Sequence, residues 1–420
     1  MTSATATTRP MSPASGVGPS LQATASAEVG FCPQRTARLL AVLQSEIDRK
    51  RLPGAVVLIA RHGKIALFEA LGEQDPATNA PMTGDSIFRI YSMTKPIVSV
   101  AVMMLMEQGR LLLDDPVAKY LPEFAAQQVA VVDEGSGGFT LRPARRPATV
   151  HDLLRHTAGL TYEFMGNQPA QQRYAQARIG SRQRSNAEFS ATLATLPLVA
   201  DPGSVWEYSR ATDVLGRLVE VVGGQALGTF LKEKILQPLG MHETGFSVPV
   251  AKHGRIAEPF ADDPDGAVSM PMIDIRTEAT MESGGGGLAS TAMDYARFLQ
   301  FMLNKGELDG VRLLGPRTID FMTADHLGDI AISPASVTSN LLPPGHGFGL
   351  GFAVRTSAGL AAVPGSVGLY YWGGIAGTTF FVDPAQDMFA LMMIQAPNQR
   401  DYYRPLFRSL VYAAMLDAAP

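Results

Sequence analysis

Cysteine is almost absent from this sequence, with Cys32 as the single example among 420 residues. One thiol cannot form a disulfide within the chain, and it cannot supply a cysteine-based zinc site. Cys32 lies at the edge of a low-complexity segment rich in Ser, Thr, Ala, Pro and Gly. We therefore interpret it as a structural residue and not as a nucleophile.

Excess charge and long apolar runs are also missing. Lys and Arg number 35 against 39 Asp and Glu, which leaves a formal net charge of -4. No run rich in Lys and Arg is present, so the composition argues against nucleic acid as a partner. The most apolar stretch, Ile97–Met106, is about half as long as a membrane span of ~20 residues. The sequence therefore predicts neither a nucleic-acid nor a membrane partner.

The signatures of several other catalytic classes are absent. No G-x-S-x-G motif occurs, so the nucleophile elbow of an α/β-hydrolase is not supported. No H-E-x-x-H occurs, and His151 and His156 are five residues apart, which does not place them on one helical face. The first thirty residues lack the apolar core of a secretory signal. These absences predict a cytoplasmic protein without a metal or another cofactor.

The length of the chain predicts two structural domains, because it exceeds what one ordinary core accommodates. Strand patterns cluster at both ends of the sequence and helical patterns fill the middle. We predict one antiparallel sheet, covered by the first and last helices, with a helical domain inserted. The predicted divisions are a disordered tail over 1–30, a discontinuous α/β domain over 31–125 and 276–420, and a helical domain with an acyl-pocket insertion over 126–275.

Hydrophobic periodicity gives the individual elements. It predicts strands over Ala55–Ala60, Lys64–Ala70, Phe348–Val354, Leu369–Trp372, Thr378–Val382 and Met388–Ile394. It predicts helices over Arg38–Ile47, Ser92–Gln108, Val214–Val222, Phe230–Leu236, Tyr295–Met302 and Pro405–Leu416.

Ser92 and Lys95 stand three residues apart in the segment Ser92-Met93-Thr94-Lys95. On a helix this spacing places both side chains on one face, so the lysine amine reaches the serine hydroxyl. A serine hydroxyl needs an adjacent base to act as a nucleophile at neutral pH. Burial against the apolar helix that follows lowers the pKa of a lysine and lets it supply that base. Ser92 and Lys95 are therefore the candidate nucleophile and base.

The same spacing fits a simpler structure. Lys95 is the only one of eight lysines with a serine three residues before it. Chance alone gives roughly half of one such match in a chain of this kind. The alternative is a helix-capping Ser92 with an exposed Lys95, and these residues alone leave both interpretations open.

The wider sequence carries a family resemblance. Tyr91-Ser92-Met93-Thr94-Lys95-Pro96 resembles the active-site helix of the penicillin-recognising serine hydrolases, in particular class C β-lactamases and family VIII carboxylesterases. Further blocks similar to those of the family follow in the same order: Thr149 to Leu160, Pro202-Gly203 with Tyr208-Ser209, Gly284 to Ser290, and His346 to Phe352. The resemblance runs from about residue 35 to the C-terminus. It implies a β-lactamase/transpeptidase-like fold, an antiparallel sheet flanked by helices with an inserted helical domain.

By this resemblance, Tyr208 is the third catalytic residue. A phenol near a lysine ammonium loses its proton more readily, and it then acts as a base toward Ser92. It later returns a proton to the leaving alcohol. The alternative interpretation is a buried core tyrosine.

The family usually closes its site with a Lys-Thr-Gly strand. Here the corresponding segment is Trp372-Gly373-Gly374, which resembles the Trp-Gly-Gly of family VIII esterases. The resemblance implies an oxyanion hole formed by the backbone N–H groups of Ser92 and Ile375. The alternative is a core tryptophan beside a bulge.

Two departures from the family pattern concern the substrate. Trp372 replaces the lysine that would hold a β-lactam or peptide carboxylate, and its apolar surface suits a neutral ester. Arg210 stands where the family often has asparagine. It weakens amide recognition, holds an acidic substrate group or faces solvent, and the sequence does not decide among these. Tyr162 and Phe164, within the insertion 160–199, are predicted to form a wall of the acyl pocket.

Together these features predict a serine carboxylesterase that hydrolyses short-chain esters through an acyl-enzyme, with weak β-lactam hydrolysis as a side activity. A small-molecule ester is the predicted partner. The alternatives are a class C-like β-lactamase, an acyltransferase and a non-catalytic ligand-binding protein.

Overall fold

The computed structural model describes residues 20–133, 138–334 and 336–416. Most of the tail predicted over 1–30 lies outside these described residues.

The strands, in chain order, are β1 (Gln22–Ala23), β2 (Gly54–Arg61), β3 (Lys64–Asp75), β4 (Ala80–Pro81), β5 (Phe88–Arg89), β6 (Gln128–Val132), β7 (Phe139–Pro143), β8 (Val205–Trp206), β9 (Ala289–Ser290), β10 (Glu307–Leu308), β11 (Val311–Arg312), β12 (Ala331–Ile332), β13 (His346–Phe348), β14 (Ala353–Arg355), β15 (Tyr370–Gly373), β16 (Gly377–Asp383) and β17 (Met388–Gln395). The α-helices are α1 (Pro33–Asp48), α2 (Thr94–Glu107), α3 (Val150–Leu154), α4 (Pro169–Gln176), α5 (Asn186–Ala194), α6 (Ala211–Gly223), α7 (Leu227–Leu231), α8 (Ala292–Leu303), α9 (Pro316–Met322) and α10 (Arg400–Ala414).

One large sheet organises the fold. Its strand order is β1-β3-β2-β17-β16-β15-β14-β13, and β4 adds to β3. Neighbouring strands are antiparallel except for β1, which runs parallel to β3. Every residue of β2, β16 and β17 is buried, because these central strands are covered on both faces. The predicted sheet, built from both ends of the sequence, is therefore confirmed, with β1 as a parallel addition.

Helices cover both faces of the sheet. On one face α1 and α10 pack together, and their apolar side chains, including Leu39, Leu43, Tyr403 and Phe407, form one core cluster with the sheet. On the other face α8 packs against β2 and β17. The helix α2 is apolar almost all round and is buried between this face and α6. This places the N-terminal end of α2 beside the end of β15.

The helices α3 to α7 come from the middle of the chain, as the sequence predicted. Their apolar side chains belong to the same continuous core cluster as α2 and the inner face of the sheet. The division into an α/β domain and a helical domain stays a prediction, since the two regions share that core.

Two local predictions are wrong. The end of the predicted tail is ordered, because β1 pairs with β3 and Val29 is buried in the α1–α10 cluster. The single strand predicted over Phe348–Val354 is instead the hairpin β13–β14. Gly351, with φ of 97°, turns the backbone there, a conformation that favours glycine.

Among the described residues, no single helix has the length and apolar character of a membrane span. The bent pair Ala211–Gly223 and Leu227–Leu236 meets the criterion only when its two parts, which differ by 77° in direction, are taken together.

Candidate active site

Ser92 lies in a single 3-10 turn, Tyr91–Met93, that leads directly into α2. Tyr91 has a φ of 43°, a left-handed backbone conformation that is strained for a residue with a side chain. Its hydroxyl accepts a 3.0 Å hydrogen bond from the backbone N–H of Ile273, which helps to hold this turn. Ser92 is half-buried at the positive end of the helix dipole, where negative charge on its oxygen is favoured.

Lys95 is fully buried, and its Nζ contacts three oxygen atoms. The distances are 3.2 Å to Ser92 Oγ, 3.0 Å to the Tyr162 hydroxyl and 2.7 Å to the carbonyl oxygen of Gly285. A neutral amine has two N–H donors and one lone pair. If the donors serve Tyr162 and Gly285, the lone pair is left for the hydroxyl proton of Ser92.

Burial lowers the pKa of Lys95 to about 7, while the carboxylate of Asp213 opposes this shift and the charge of Arg210 adds to it. An amine with this pKa is partly the free base at neutral pH, as a general base requires. The alternative of a capping serine with an exposed lysine does not describe this site, because Lys95 is buried against Ser92.

Tyr208 reaches the same point from the segment between β8 and α6. Its hydroxyl lies beside that of Ser92 and accepts a 3.2 Å hydrogen bond from the indole N–H of Trp372. Burial raises the pKa of Tyr208, and the contacts with Ser92 and Trp372 offset only part of this shift. The structure therefore does not favour the deprotonated Tyr208 that was expected from the sequence. The burial that frees the Lys95 amine keeps the proton on the phenol, so Lys95 is the better base.

A second tyrosine, Tyr162, completes the surroundings of Lys95. Its ring centroid is 5.4 Å from that of Tyr208, and burial raises its pKa well above the usual value. The sequence predicted Tyr162 only as a pocket wall and missed its contact with Lys95. Phe164 stacks on Tyr162 with ring centroids 4.8 Å apart and is 56% exposed, so it lies at the outer edge of the site.

The turn after β15 brings Gly374 against the backbone just before the nucleophile, and Ile375 is the next residue of this turn. A Cβ on Gly374 would lie 2.5 Å from the carbonyl oxygen of Ile90, so glycine lets this turn pack against the backbone just before Ser92. Within the described residues, neither the N–H of Ser92 nor that of Ile375 donates to a protein acceptor. Free donors are one condition for an oxyanion hole, and the oxyanion hole itself stays a prediction.

Two arginines of α10 hold the carbonyl groups of this turn. Arg404 donates to the carbonyl oxygen of Gly374. Arg400 donates to that of Ile375 at 3.4 Å. A Cβ on Gly373 would lie 2.8 Å from the Arg404 guanidinium, so glycine at this position makes room for the arginine. The sequence analysis did not detect either arginine, because only the fold brings α10 to the turn.

Replacing Arg404 by methionine is expected to lower kcat about 10- to 100-fold with a smaller change in KM, because a displaced oxyanion donor weakens the transition state more than the bound ester. Methionine keeps much of the apolar stem and removes the bond to Gly374. Steady-state kinetics with p-nitrophenyl butyrate separate the two constants, and the exposed neighbour Asp401→Asn is the control. A normal kcat in Arg404→Met would contradict this positioning role.

Arg210 is partly buried beside the site, with 12% of its side chain exposed. Its Nε donates to Glu163 at 3.3 Å, its Nη1 is 3.6 Å from Asp213 Oδ2, and its guanidinium lies 4.8 Å from the centroid of the Tyr162 ring. Exposure to solvent, one of the roles left open by the sequence, is therefore excluded. Because its charge is already paired, this placement favours a role in supporting Tyr162 and disfavours the predicted direct contact with substrate.

Asp213 fixes the carbonyl group that binds Lys95. Its Oδ1 accepts hydrogen bonds of 2.9 Å from the N–H of Gly285 and 2.5 Å from the hydroxyl of Ser283. A Cβ on Gly285 would lie 2.7 Å from Asp213 Oδ2, so the close approach requires glycine. The sequence analysis missed Asp213. The glycine run itself belonged to a recognised block, but its backbone role was not visible from the sequence.

The two histidines of the Thr149 to Leu160 block lie in different surroundings. His151 Nε2 is 3.0 Å from a ring nitrogen of His326. His156 is buried against the Tyr208 ring, with its Nδ1 3.1 Å from the hydroxyl of Ser209. Burial lowers the pKa of both residues. In the part of the chain that the structure describes, no group of three or more His, Cys, Asp or Glu side chains is placed to hold a metal.

Comparisons with known proteins give the family and the fold. The profile of the Beta-lactamase family matches residues 39–413. The chain is 34% identical over 379 residues to Esterase EstB of Burkholderia gladioli, which covers 85% of this chain and 89% of EstB. It is 29% identical over 372 residues to the lovastatin esterase of Penicillium rubens, covering 84% and 91% of the two chains. The solved structure of EstCE1, a hydrolase with promiscuous acyltransferase activity, matches with a TM-score of 0.74 and 30% identity over 90% of this chain and 98% of EstCE1.

Proposed function

The chain belongs to the Beta-lactamase family, and we propose that it is a serine carboxylesterase of the family VIII type. The family and the fold predicted from the sequence are confirmed. The observation that carries the proposed chemistry is the contact between the Nζ of a fully buried lysine and the hydroxyl of Ser92. EstB and the lovastatin esterase, both esterases by name, support the substrate class.

In the proposed acylation, Lys95 accepts the hydroxyl proton as Ser92 Oγ attacks the ester carbonyl carbon. The N–H groups of Ser92 and Ile375 stabilise the negative charge on the carbonyl oxygen. When the tetrahedral adduct collapses, the bond to the alcohol breaks and Tyr208 protonates the leaving oxygen. The proton held by Lys95 then returns to Tyr208.

Deacylation follows the same course with water as the nucleophile. Water adds to the acyl carbonyl carbon and gives one proton to the Lys95–Tyr208 pair. The bond to Ser92 then breaks, and its Oγ takes that proton back. Each group thus ends the cycle in its starting state, and no cofactor takes part in the proposed sequence.

The surroundings of Trp372 favour an ester over a β-lactam. Its side chain is buried against Tyr208 and Phe348, and its N–H is occupied by Tyr208. This position therefore offers no cation to a β-lactam carboxylate. Short acyl chains, a wall formed by Tyr162 and Phe164, and a weak side activity on β-lactams remain part of the proposal. The cytoplasmic location and the absence of nucleic-acid, membrane and metal partners stay predictions from the sequence.

Acyl transfer is the second candidate, since EstCE1 is described as a hydrolase with promiscuous acyltransferase activity. The test compares the rates on p-nitrophenyl butyrate, on the same ester with a short alcohol added, and on a chromogenic cephalosporin. The carboxylesterase proposal predicts that butyrate is the main product and that the cephalosporin is opened far more slowly. A butyryl ester of the added alcohol as main product would favour the transferase, and fast cephalosporin opening would favour a β-lactamase.

The pH dependence of kcat/KM is expected to show an acidic limb with an apparent pKa of about 7, because Lys95 must be neutral to accept the proton of Ser92. Activity is therefore low below this pH and rises as Lys95 loses its proton. Asp213→Asn is expected to move the limb to lower pH, since the Asp213 carboxylate raises the pKa of Lys95. Profiles from pH 5 to 9 measure both effects. A flat profile, or a limb that moves to higher pH in Asp213→Asn, would contradict this assignment.

A further inference from the structure

Arg182 lies at the edge of the site beside the glycine run. Its guanidinium donates to the carbonyl oxygen of Gly286 at 3.3 Å, and the preceding carbonyl, of Gly285, is the one that binds Lys95. Gly286 itself packs on Tyr91, since a Cβ there would lie 3.5 Å from the Tyr91 carbonyl carbon. Arg182 therefore contacts Gly286, the residue that packs on the backbone directly before Ser92.

Within the described part of the chain, the charge of Arg182 has no ion-pair partner, in contrast to that of Arg210. Among the described residues, no carboxylate oxygen lies within 4 Å of its guanidinium, although the group is half-buried. The charge of Asp213 acts on it from a greater distance, but that carboxylate already accepts hydrogen bonds at the glycine run. A partly desolvated guanidinium with a free donor edge is a favourable binding group for a carboxylate.

The position of Arg182 is fixed by the Glu163–Arg210 pair. A Cβ on Gly180 would lie 2.4 Å from Glu163 Oε1, so the segment that carries Arg182 packs directly on this pair. The side chain of Arg184 donates to the backbone carbonyl of Arg178 at 2.8 Å and tightens the same segment. These two contacts hold the loop that carries Arg182 in place.

An open cleft of about 670 Å³ leads from Arg182 to solvent. Its lining includes Glu163, Arg178, Gly180 and Gln183 as well as Arg182. Glu163 forms an ion pair with Arg210, and the two arginines of the lining, Arg178 and Arg182, outnumber this one carboxylate, so the lining has a net positive charge. The cleft is therefore electrostatically suited to an anionic part of a substrate.

We propose that Arg182 binds a carboxylate of the substrate, so that the preferred substrates are esters with a second, anionic group. The proposal rests on the esterase function above and narrows its substrate class. It places the anion site beside the glycine run, at a different position from Trp372, which stands where the family usually has lysine. Esters with the carboxylate in the acyl part or in the alcohol part both fit this chemistry, and the experiment separates them.

The test uses two matched ester pairs that differ by one charge. For the acyl part the pair is the mono-p-nitrophenyl ester of adipate and its methyl ester. For the alcohol part it is 4-acetoxybenzoate and its methyl ester. Wild type is expected to show a kcat/KM at least about tenfold higher for the charged member of one pair, a ratio within the range of a charge-assisted hydrogen bond.

Arg182→Gln is expected to remove this preference, with a loss of about 10- to 100-fold on the charged ester and less than about threefold on its neutral partner. Arg182→Lys is expected to keep part of it. The control is Arg173→Gln, which removes the same charge from an exposed side chain of α4 outside the cleft lining and is expected to have a much smaller effect. Equal losses on charged and neutral esters in Arg182→Gln would overturn the proposal in favour of a purely structural contact with Gly286.

The results of this test distinguish a wrong esterase proposal from a wrong anion site. If wild type hydrolyses both members of each pair equally well, the anion site is wrong and the esterase stands. If it hydrolyses none of them, the esterase is wrong, and calorimetric titration with 4-acetamidobenzoate and its methyl ester decides the anion site. Tighter binding of the carboxylate by wild type than by Arg182→Gln supports the site, and equal binding of the two compounds by wild type contradicts it.

Discussion

Replacement of Ser92 by alanine is expected to lower kcat/KM for p-nitrophenyl butyrate by at least about a thousandfold, the loss typical of removing a covalent nucleophile. The physical reason is that Ser92 Oγ is the atom that lies beside Lys95 Nζ at the positive end of α2, where the proposed attack on the ester takes place. The remaining groups still bind the ester but have no atom to acylate.

A second serine on the same helix provides the control for this result. Ser99 is buried on α2, slightly more than one helical turn after Lys95. Its side chain packs near Gly351, away from the site. Ser99→Ala removes the same hydroxyl group from the same element, so kcat/KM is expected to stay within about threefold of wild type, as for a substitution outside the reacting centre. Comparable activity in Ser92→Ala and wild type would show that Ser92 is not the nucleophile.

Tyr208→Phe is expected to lower kcat by about 10²- to 10⁴-fold, the range for loss of a general acid or base. Tyr162→Phe is the matched variant, because both tyrosines are buried, both have a raised pKa and both lie against Lys95. Tyr162→Phe loses the hydrogen bond that the Tyr162 hydroxyl accepts from Lys95, and it is expected to lower kcat by about tenfold or less. The difference follows from position, since the Tyr208 hydroxyl is the one beside Ser92.

Two esters that differ in their leaving group test the role of Tyr208 more directly. Nitrophenolate leaves without a proton, whereas the alkoxide of ethyl butyrate needs one. If Tyr208 protonates the leaving oxygen, the loss in Tyr208→Phe is expected to be clearly larger for ethyl butyrate than for p-nitrophenyl butyrate, as followed by acid release. Equal losses on the two esters, or a defect in Tyr162→Phe as large as that in Tyr208→Phe, would contradict the role given to Tyr208.

The sequence predicts those parts of the site that depend on local structure. The contact of Ser92 with Lys95 follows from helical spacing, and the burial of Lys95 follows from the apolar run of α2. Tyr208 and the Trp372 segment were identified only through the family resemblance, since they lie far apart in the chain. The strands β2, β16 and β17 were predictable because apolar runs mark buried strands, whereas their order in the sheet was not predicted.

Other features of the site depend on tertiary contacts that no local sequence pattern indicates. Asp213 acts through the backbone of Gly285, and Arg404 acts through that of Gly374, so neither belongs to a short motif. The protonation states also depend on the fold. A lysine and a tyrosine in contact suggest a tyrosinate, but complete burial of both favours a neutral amine beside a neutral phenol.

The central claim is that the acyl group passes through a covalent bond to Ser92. The most direct measurement is intact mass and peptide mapping after reaction with a p-nitrophenyl alkylphosphonate, which forms a stable analogue of the acylation adduct. We predict release of one equivalent of p-nitrophenol, one phosphonyl group on the peptide that contains Ser92, and no adduct in Ser92→Ala. An adduct on another residue such as Tyr208 or Cys32, or an unlabelled enzyme that still hydrolyses p-nitrophenyl butyrate, would contradict the claim.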